Sequence, residues 1–273
     1  MSASIPRPGA HGTLITVAPT GVEHAKADVP NLPVTLDELV STAKDCERVG
    51  ASVIHVHVRG TDAKPTLDLG LLKATVAALR AETDLVVQLS TSGAATEPEE
   101  NRLRVLEAGP DSASCPMGDD TFAVELHKRM QDRGVVPAYE IFDLGQLTSL
   151  QRLLDQHGLP AGGHVHVELV MGAPGGMPGD TETLAVALRA VPDGATFSAT
   201  GIDRSSIPVM FATLSAGGHL RVGMADTISY APGERVRNNA QLVARASGLA
   251  RIAQRPPLAA EEVRKLLGVQ RSG

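Results

Sequence analysis

The sequence predicts an α/β fold, a single closed (β/α)8 TIM barrel, on three observations. Eight short runs rich in β-branched residues alternate with longer helical patterns, and such alternation encodes a parallel sheet. Eight repeats of this kind need about 250 residues, which the 273-residue chain supplies. No linker, low-complexity stretch or block of like charge divides it, so residues 1–273 read as one barrel domain with C-terminal helices over about 234–268. An open doubly wound sheet is the competing arrangement, because the fourth strand run is short.

Taken in order, the strand runs are 14–18, 53–58, 85–89, a short 112–115, 136–141, 164–170, 196–199 and 220–223. Each is a stretch of Val, Ile, Leu or small residues bounded by Gly, Pro, Asp or Ser. Helical patterns fall between them at 36–49, 68–81, 97–107, 121–133, 145–156, 180–189 and 205–215, followed by a long 234–254 and 259–267. The first opens on Thr35-Leu-Asp-Glu38, a capping box, and Ser, Asp or Thr opens several others. The segment 21–32 is long for a strand-to-helix loop, which points to function rather than spacing.

Composition narrows the class. Four Phe, two Tyr and no Trp leave Val, Leu, Ile and Ala to fill the core. A net charge of −6 argues against a nucleic-acid footprint or a polybasic membrane surface. Two cysteines, Cys46 and Cys115, are too few for a disulfide framework and suit a reduced, cytoplasmic setting. The first eight residues hold no apolar leader, and no apolar run reaches membrane-spanning length.

Chemistry concentrates first in Ser52-Val-Ile-His55-Val-His57-Val-Arg59. Successive strand side chains point to opposite faces, so His55 and His57 project together and can present two nitrogens to zinc or a similar divalent ion. Ordinary barrel histidines satisfied by hydrogen bonds are the competing explanation. Barrel enzymes build their sites at the C-terminal strand ends, where this pair lies. Strand one ends in Pro19-Thr-Gly-Val-Glu23, and strand eight in Arg221-Val-Gly-Met-Ala225-Asp226. In a closed barrel strands eight, one and two are neighbours, so three polar clusters meet in one sector. That convergence favours the metal.

Strand three ends in Ser90-Thr-Ser-Gly93, a turn able to receive a carboxylate or oxyanion. Strand four offers Ser114 and Cys115, and strand five offers Glu140. No base accompanies Cys115, so it reads as structural. A second run, Gly163-His164-Val-His166-Val-Glu168, lies at the start of strand six and is assigned a structural role at the barrel floor. The loop Gly172-Ala-Pro-Gly-Gly176 lacks the Lys-Ser/Thr of a nucleotide-binding loop but could wrap a pantetheine arm or a phosphate.

The ordered set of segments resembles the β-keto acid cleavage enzyme family. The resemblance rests on Thr20-Gly-Val-Glu23, Asn31-Leu-Pro-Val-Thr35, the stretch from Gly50 to Arg59, Ser90-Thr-Ser-Gly93 and Tyr139-Glu-Ile-Phe-Asp143. It continues through Gly217-Gly-His-Leu-Arg-Val-Gly223, Asn238-Asn-Ala-Gln-Leu-Val243 and Glu261-Glu-Val-Arg-Lys-Leu-Leu-Gly268. The resemblance implies a zinc-dependent, oligomeric barrel enzyme, by analogy a homotetramer, that turns a β-keto acid and acetyl-CoA into acetoacetate and a new acyl-CoA. It implies His55 and His57 as metal ligands, Asp226 as general base and Arg221 as its support. It also implies Ser90 and Ser114 on the substrate carboxylate, Glu23 at the distal group, and Glu140 shaping that pocket. One departure stands out. Where the family usually has Gly-Leu-Glu-Asp, with the Glu completing the metal site, this chain has Gly223-Met-Ala225-Asp226. Two rival functions remain in view: an amidohydrolase-type zinc hydrolase, which wants further strand-end histidines, and a non-catalytic ligand-binding protein, suggested by Ala225.

Overall fold

A computed structural model describes residues 12–92 and 97–270. Eight parallel strands close into a barrel in sequence order. They are β1 (Ile15–Val17), β2 (Val53–Val56), β3 (Val86–Leu89), β4 (Ser112–Pro116), β5 (Val136–Ile141), β6 (His166–Met171), β7 (Thr196–Gly201) and β8 (His219–Val222). Around them lie α1 (Leu36–Arg48), α2 (Leu69–Glu82), α3 (Glu99–Arg104), α4 (Asp120–Arg133), α5 (Leu144–His157), α6 (Thr181–Ala187) and α7 (Ser206–Ser215). The last two helices are α8 (Asn239–Ile252) and α9 (Ala260–Leu267). Closure is direct. Ile15, Thr16 and Val17 pair with Leu220, Arg221 and Val222, which excludes the open sheet.

Alternation along the strands divides the molecule. Outward residues such as Ile54, Val87, Leu169 and Leu220 pack under the helices as an apolar sleeve. Inward residues change character with height. Leu14, Val53, Val86 and Val136 close the floor against Val263, Leu267 and Val269 at the C-terminal end of the chain. Above them the interior turns polar: His55, Gln88, Ser112, His166, Ser198 and His219 are all buried there. Every such group needs a partner, and that requirement orders the interior above the floor.

Local signals explain the elements. Thr35 Oγ1 accepts from Glu38 N while the Glu38 carboxylate takes Thr35 N, the expected capping box. Glycines end several helices in the left-handed region, among them Gly134 at the end of α4. One expectation is corrected: residues 234–254 do not form one helix. Pro232-Gly233 turns the chain, with Gly233 at φ +79°, so that β9 (Ser229–Ala231) pairs antiparallel with β10 (Glu234–Arg235). Helix α8 starts five residues later than expected, where the Asn238 side chain accepts from Gln241 N. No helix among the described residues is long and apolar enough to cross a membrane. The first eight residues, and Gly93 of the strand-three turn, lie outside the described residues.

Candidate active site

The upper barrel gathers five of the predicted residues into one buried chain of contacts. Asp226 receives a two-pronged hydrogen bond from Arg221, Nε to Oδ2 at 3.2 Å and Nη2 to Oδ1 at 2.9 Å. Arg221 Nη1 donates to Glu140 Oε1 at 3.1 Å. The same Glu140 oxygen stands 4.0 Å from His55 Nε2, which lies 3.2 Å from His57 Nε2. Arg221, Glu140, Asp226 and His55 are all buried. The planar guanidinium suits this task because it presents two parallel N–H groups to one carboxylate and a third to another.

Local backbone chemistry brings Asp226 to the guanidinium. A β-carbon on Gly223 would lie 1.9 Å from the Ala18 carbonyl oxygen, so the chain can turn out of β8 there without collision as glycine alone. Asp226 N then closes the turn on Gly223 O at 3.0 Å. Asn239, at the start of α8, pins both sides: its amide donates to Pro19 O and its carbonyl accepts from Met224 N. That role accounts for the Asn-Asn pair opening the segment 238–243.

The imidazoles are held neutral. Burial, reinforced by the Arg221 charge, keeps His55 well below the usual histidine range, and burial with Arg221 and Arg59 brings His57 down to about 3. His55 Nδ1 sits 2.7 Å from Gln88 Oε1, which can only accept, so Nε2 carries the lone pair. Gln88 is fixed in turn by donating to Ser112 Oγ at 3.1 Å. Two imidazole nitrogens bound to one tetrahedral ion stand about 3.3 Å apart, close to the spacing here. The donor chemistry and spacing therefore fit a divalent ion held by two nitrogens. Strand eight adds no third donor, because the Ala225 methyl packs against Gly21. Among the described residues no group of three or more His, Cys, Asp or Glu side chains could hold a metal.

The remaining predicted residues are placed differently. Ser90 is buried two positions beyond Gln88 on the same inward face, and its hydroxyl accepts from Ser92 N. Ser114 is fully buried, and its oxygen accepts from Thr91 N at 3.0 Å, tying the end of β3 to β4. Glu23 is exposed on the β1–α1 loop. Arg59 clasps that loop, donating to Gly21 O at 2.7 Å and His24 O at 3.0 Å. Cys115 is fully buried with its thiol pushed up by burial, in keeping with a structural role.

Sequence reasoning missed Gln88 and Glu168. Both were legible: each is a polar residue on the inward face of an apolar strand, two positions from another inward polar side chain. Glu168 sits beside Glu140 in register and is buried. Burial raises its carboxyl to about 8, against the pull of Arg221.

Comparison with known proteins follows the same outline. The model of the beta-keto acid cleavage enzyme family matches residues 13–269. The chain is 32% identical to a 3-keto-5-aminohexanoate cleavage enzyme of Acetoanaerobium sticklandii, covering 94% of this chain and 98% of that protein. It is 29% identical to a 3-oxoadipate:acetyl-CoA acetyltransferase of Cupriavidus necator, covering 94% of each. Among solved structures, the apo structure of ObcA aligns with a TM-score of 0.75 at 17% identity, covering 88% of this chain and 66% of that one.

Proposed function

The chain belongs to the beta-keto acid cleavage enzyme family, and on that premise we propose that it converts a β-keto acid and acetyl-CoA into acetoacetate and a new acyl-CoA. The observation that carries this reading is the series Asp226–Arg221–Glu140–His55–His57, which links a carboxylate, through Arg221 and Glu140, to a neutral imidazole pair. Relatives named as acting with acetyl-CoA support that co-substrate. Neither hydrolysis nor a non-catalytic role is favoured by the family.

Each residue then has a task. His55 and His57 would hold zinc or a similar divalent ion, which would supply Lewis-acid polarisation of the keto acid's carbonyl and carboxylate. Asp226 accepts a proton from the carbon between those groups, and the two-pronged hydrogen bond from Arg221 aims its carboxylate. The carbanionic carbon bonds to the thioester carbonyl carbon, and the CoA thiolate leaves. That thiolate adds to the distal carbonyl of the former keto acid. The original carbon–carbon bond breaks, and its electron pair recovers the proton held by Asp226. Acetoacetate and the new acyl-CoA result, with atoms and charge balanced.

Ser90 and Ser114 hold the substrate carboxylate. Glu140 shapes the pocket beside Arg221, and Glu23 meets the distal group, favouring a cationic or hydroxylated one. The Gly172–Gly176 loop wraps the pantetheine arm. The active form is a homo-oligomer, and the setting is cytoplasmic.

Incubation with acetyl-CoA and cationic, anionic and apolar β-keto acids is expected to yield acetoacetate with at least one of them. No product across the panel sinks the reaction. Metal analysis of purified protein is expected to find a bound divalent ion that His55→Ala loses; a metal-free wild type removes that part of the reading. Arg59→Ala should free the loop carrying Glu23. Each hydrogen bond from a charged group that is lost contributes about 1.5–3 kcal/mol. The melting temperature should fall and KM for the keto acid rise more than kcat falls. An unchanged KM would detach Glu23 from substrate binding.

A further inference from the structure

Beneath the mouth, the barrel interior holds a second polar series that the reaction above does not use. His164 Nε2 lies 2.9 Å from Thr196 Oγ1, which lies 2.8 Å from His166 Nδ1. His166 Nε2 lies 3.0 Å from Ser198 Oγ, and Ser198 Oγ lies 2.6 Å from Glu168 Oε2. His166, Ser198 and Glu168 are buried, while His164, two residues before β6, and Thr196, the first residue of β7, are half-buried at the N-terminal end of the barrel. Gly162, two residues before His164, lines an open crevice of about 640 Å³ on that face with Arg264 and Gln270. At the inner end, Glu168 Oε1 is buried with no hydrogen-bond partner among the described residues. A buried carboxylate oxygen left without a donor is costly, which marks this group for a role beyond packing.

We propose that His164, Thr196, His166, Ser198 and Glu168 form a proton relay through the barrel interior, connecting the carboxylates around Arg221 with solvent at the face opposite the active-site mouth. Every member both donates and accepts, so the chain has two complete polarities. With the proton on Glu168 Oε2, that O–H donates to Ser198, Ser198 to His166 Nε2, His166 Nδ1–H to Thr196, and Thr196 to His164 Nε2. One proton shift at each of the four links reverses every bond. It leaves Glu168 ionised and His164 carrying an extra proton, which His164 releases to water.

The charges around Glu168 suit this exchange. Arg221 and Asp226 face it from the end of β8, Glu140 from β5, and His166 shares its strand. His219 stands with its ring centroid 6.2 Å from that of His166. One guanidinium thus serves three acids, and at neutral pH Glu168 keeps its proton. His166 is held neutral by burial, with His219 and His164 adding to the effect, so it can pass protons between its two nitrogens. When Asp226 takes a proton from substrate, one negative charge beside Arg221 disappears and ionisation of Glu168 becomes easier. Glu168 then releases its own proton through the relay while the substrates cover the mouth, and takes one back when Asp226 returns its proton to the acetoacetate carbon. This service to Asp226 rests on the reaction proposed above. The relay itself is read in the resting protein, so the two ideas fail separately.

Infrared spectroscopy of the purified, substrate-free chain provides the test. At pH 7 a carboxylic-acid C=O band is expected that Glu168→Gln removes and that titrates near pH 8. After transfer into D2O its isotope shift should be prompt in the wild type and slower by roughly 10²-fold or more in Ser198→Ala. Thr196→Val, which cuts the chain nearer its outer end, provides the same readout if Ser198→Ala fails to fold. Stability gives a second measure. Glu168 loses its proton near its usual value of 4.5 when unfolded and near 8 when folded. It therefore makes the wild type less stable as pH rises between those values. That part of the slope should vanish in Glu168→Gln. The proposal is overturned if no acid band belongs to Glu168 at pH 7, or if the band exchanges as fast with the chain cut.

Discussion

Asp226→Asn is expected to lower turnover by about 10²–10⁴-fold while leaving any metal at the histidine pair in place. Asparagine keeps the volume of the side chain but cannot take a proton at neutral pH. It also offers one oxygen where the carboxylate offers two to Arg221. The imidazole pair touches Glu140 and Gln88 rather than Asp226, so its donor geometry should survive the change. Steady-state kinetics with the best keto acid of the panel, alongside metal analysis, separates the two effects. Near-normal turnover would remove Asp226 as the base; coincident loss of metal would mean that the substitution had disturbed the whole site.

The largest stability effect should follow Arg221→Met. This arginine is the cation that Asp226 and Glu140 both bond, and Glu168 feels its charge. Removing one partner of a buried ion pair costs about 3–5 kcal/mol, because the remaining charge has lost its compensation. The variant's deficit should also deepen with pH. Without the guanidinium, burial leaves Glu140 and Glu168 holding their protons to higher pH in the folded chain than in the unfolded one. The unfolded chain then releases them first, and stability falls as pH rises. Chemical denaturation at pH 5, 7 and 8 reads this directly. A deficit below about 1 kcal/mol, the range of a surface pair, would show that the cluster is not held by its charge.

The barrel was legible because its strands are uniform in kind. Runs such as Leu85-Val-Val-Gln-Leu89 are apolar on the outward face, and the polar Gln88 marks the inward one. The Thr35 cap was equally open to reading, since it acts within a few residues, whereas the demand for glycine at 223 comes from Ala18, just past the distant strand β1. The expected helix over 234–254 failed for a local reason. Glu234-Arg-Val-Arg has helix-forming residues, but Pro232-Gly233 reverses the chain so that it pairs with Ser229–Ala231 instead. Glu168 was missed because it was grouped with His164 and His166 as one run at the start of strand six. Its neighbours His164 and His166 do lie at the lower end, but two more residues along β6 bring Glu168 level with Glu140.

By itself the sequence determined the alternation of strands and helices, the chemical groups at each strand end, and the shared face of His55 and His57. Those follow from rules that reach a few residues along the chain. Which groups meet was decided by the tertiary structure. Arg221 reaches Glu140 across 81 positions, and the β1–β8 pairing that aligns them joins strands about two hundred residues apart. Protonation was decided there too. Isolated histidines and glutamates titrate near their ordinary values, whereas burial beside Arg221 lowers the imidazoles and burial among like charges raises Glu168. The Ala225 methyl shows both levels at once: its identity is plain in the sequence, but its packing against Gly21 appears only when the barrel closes.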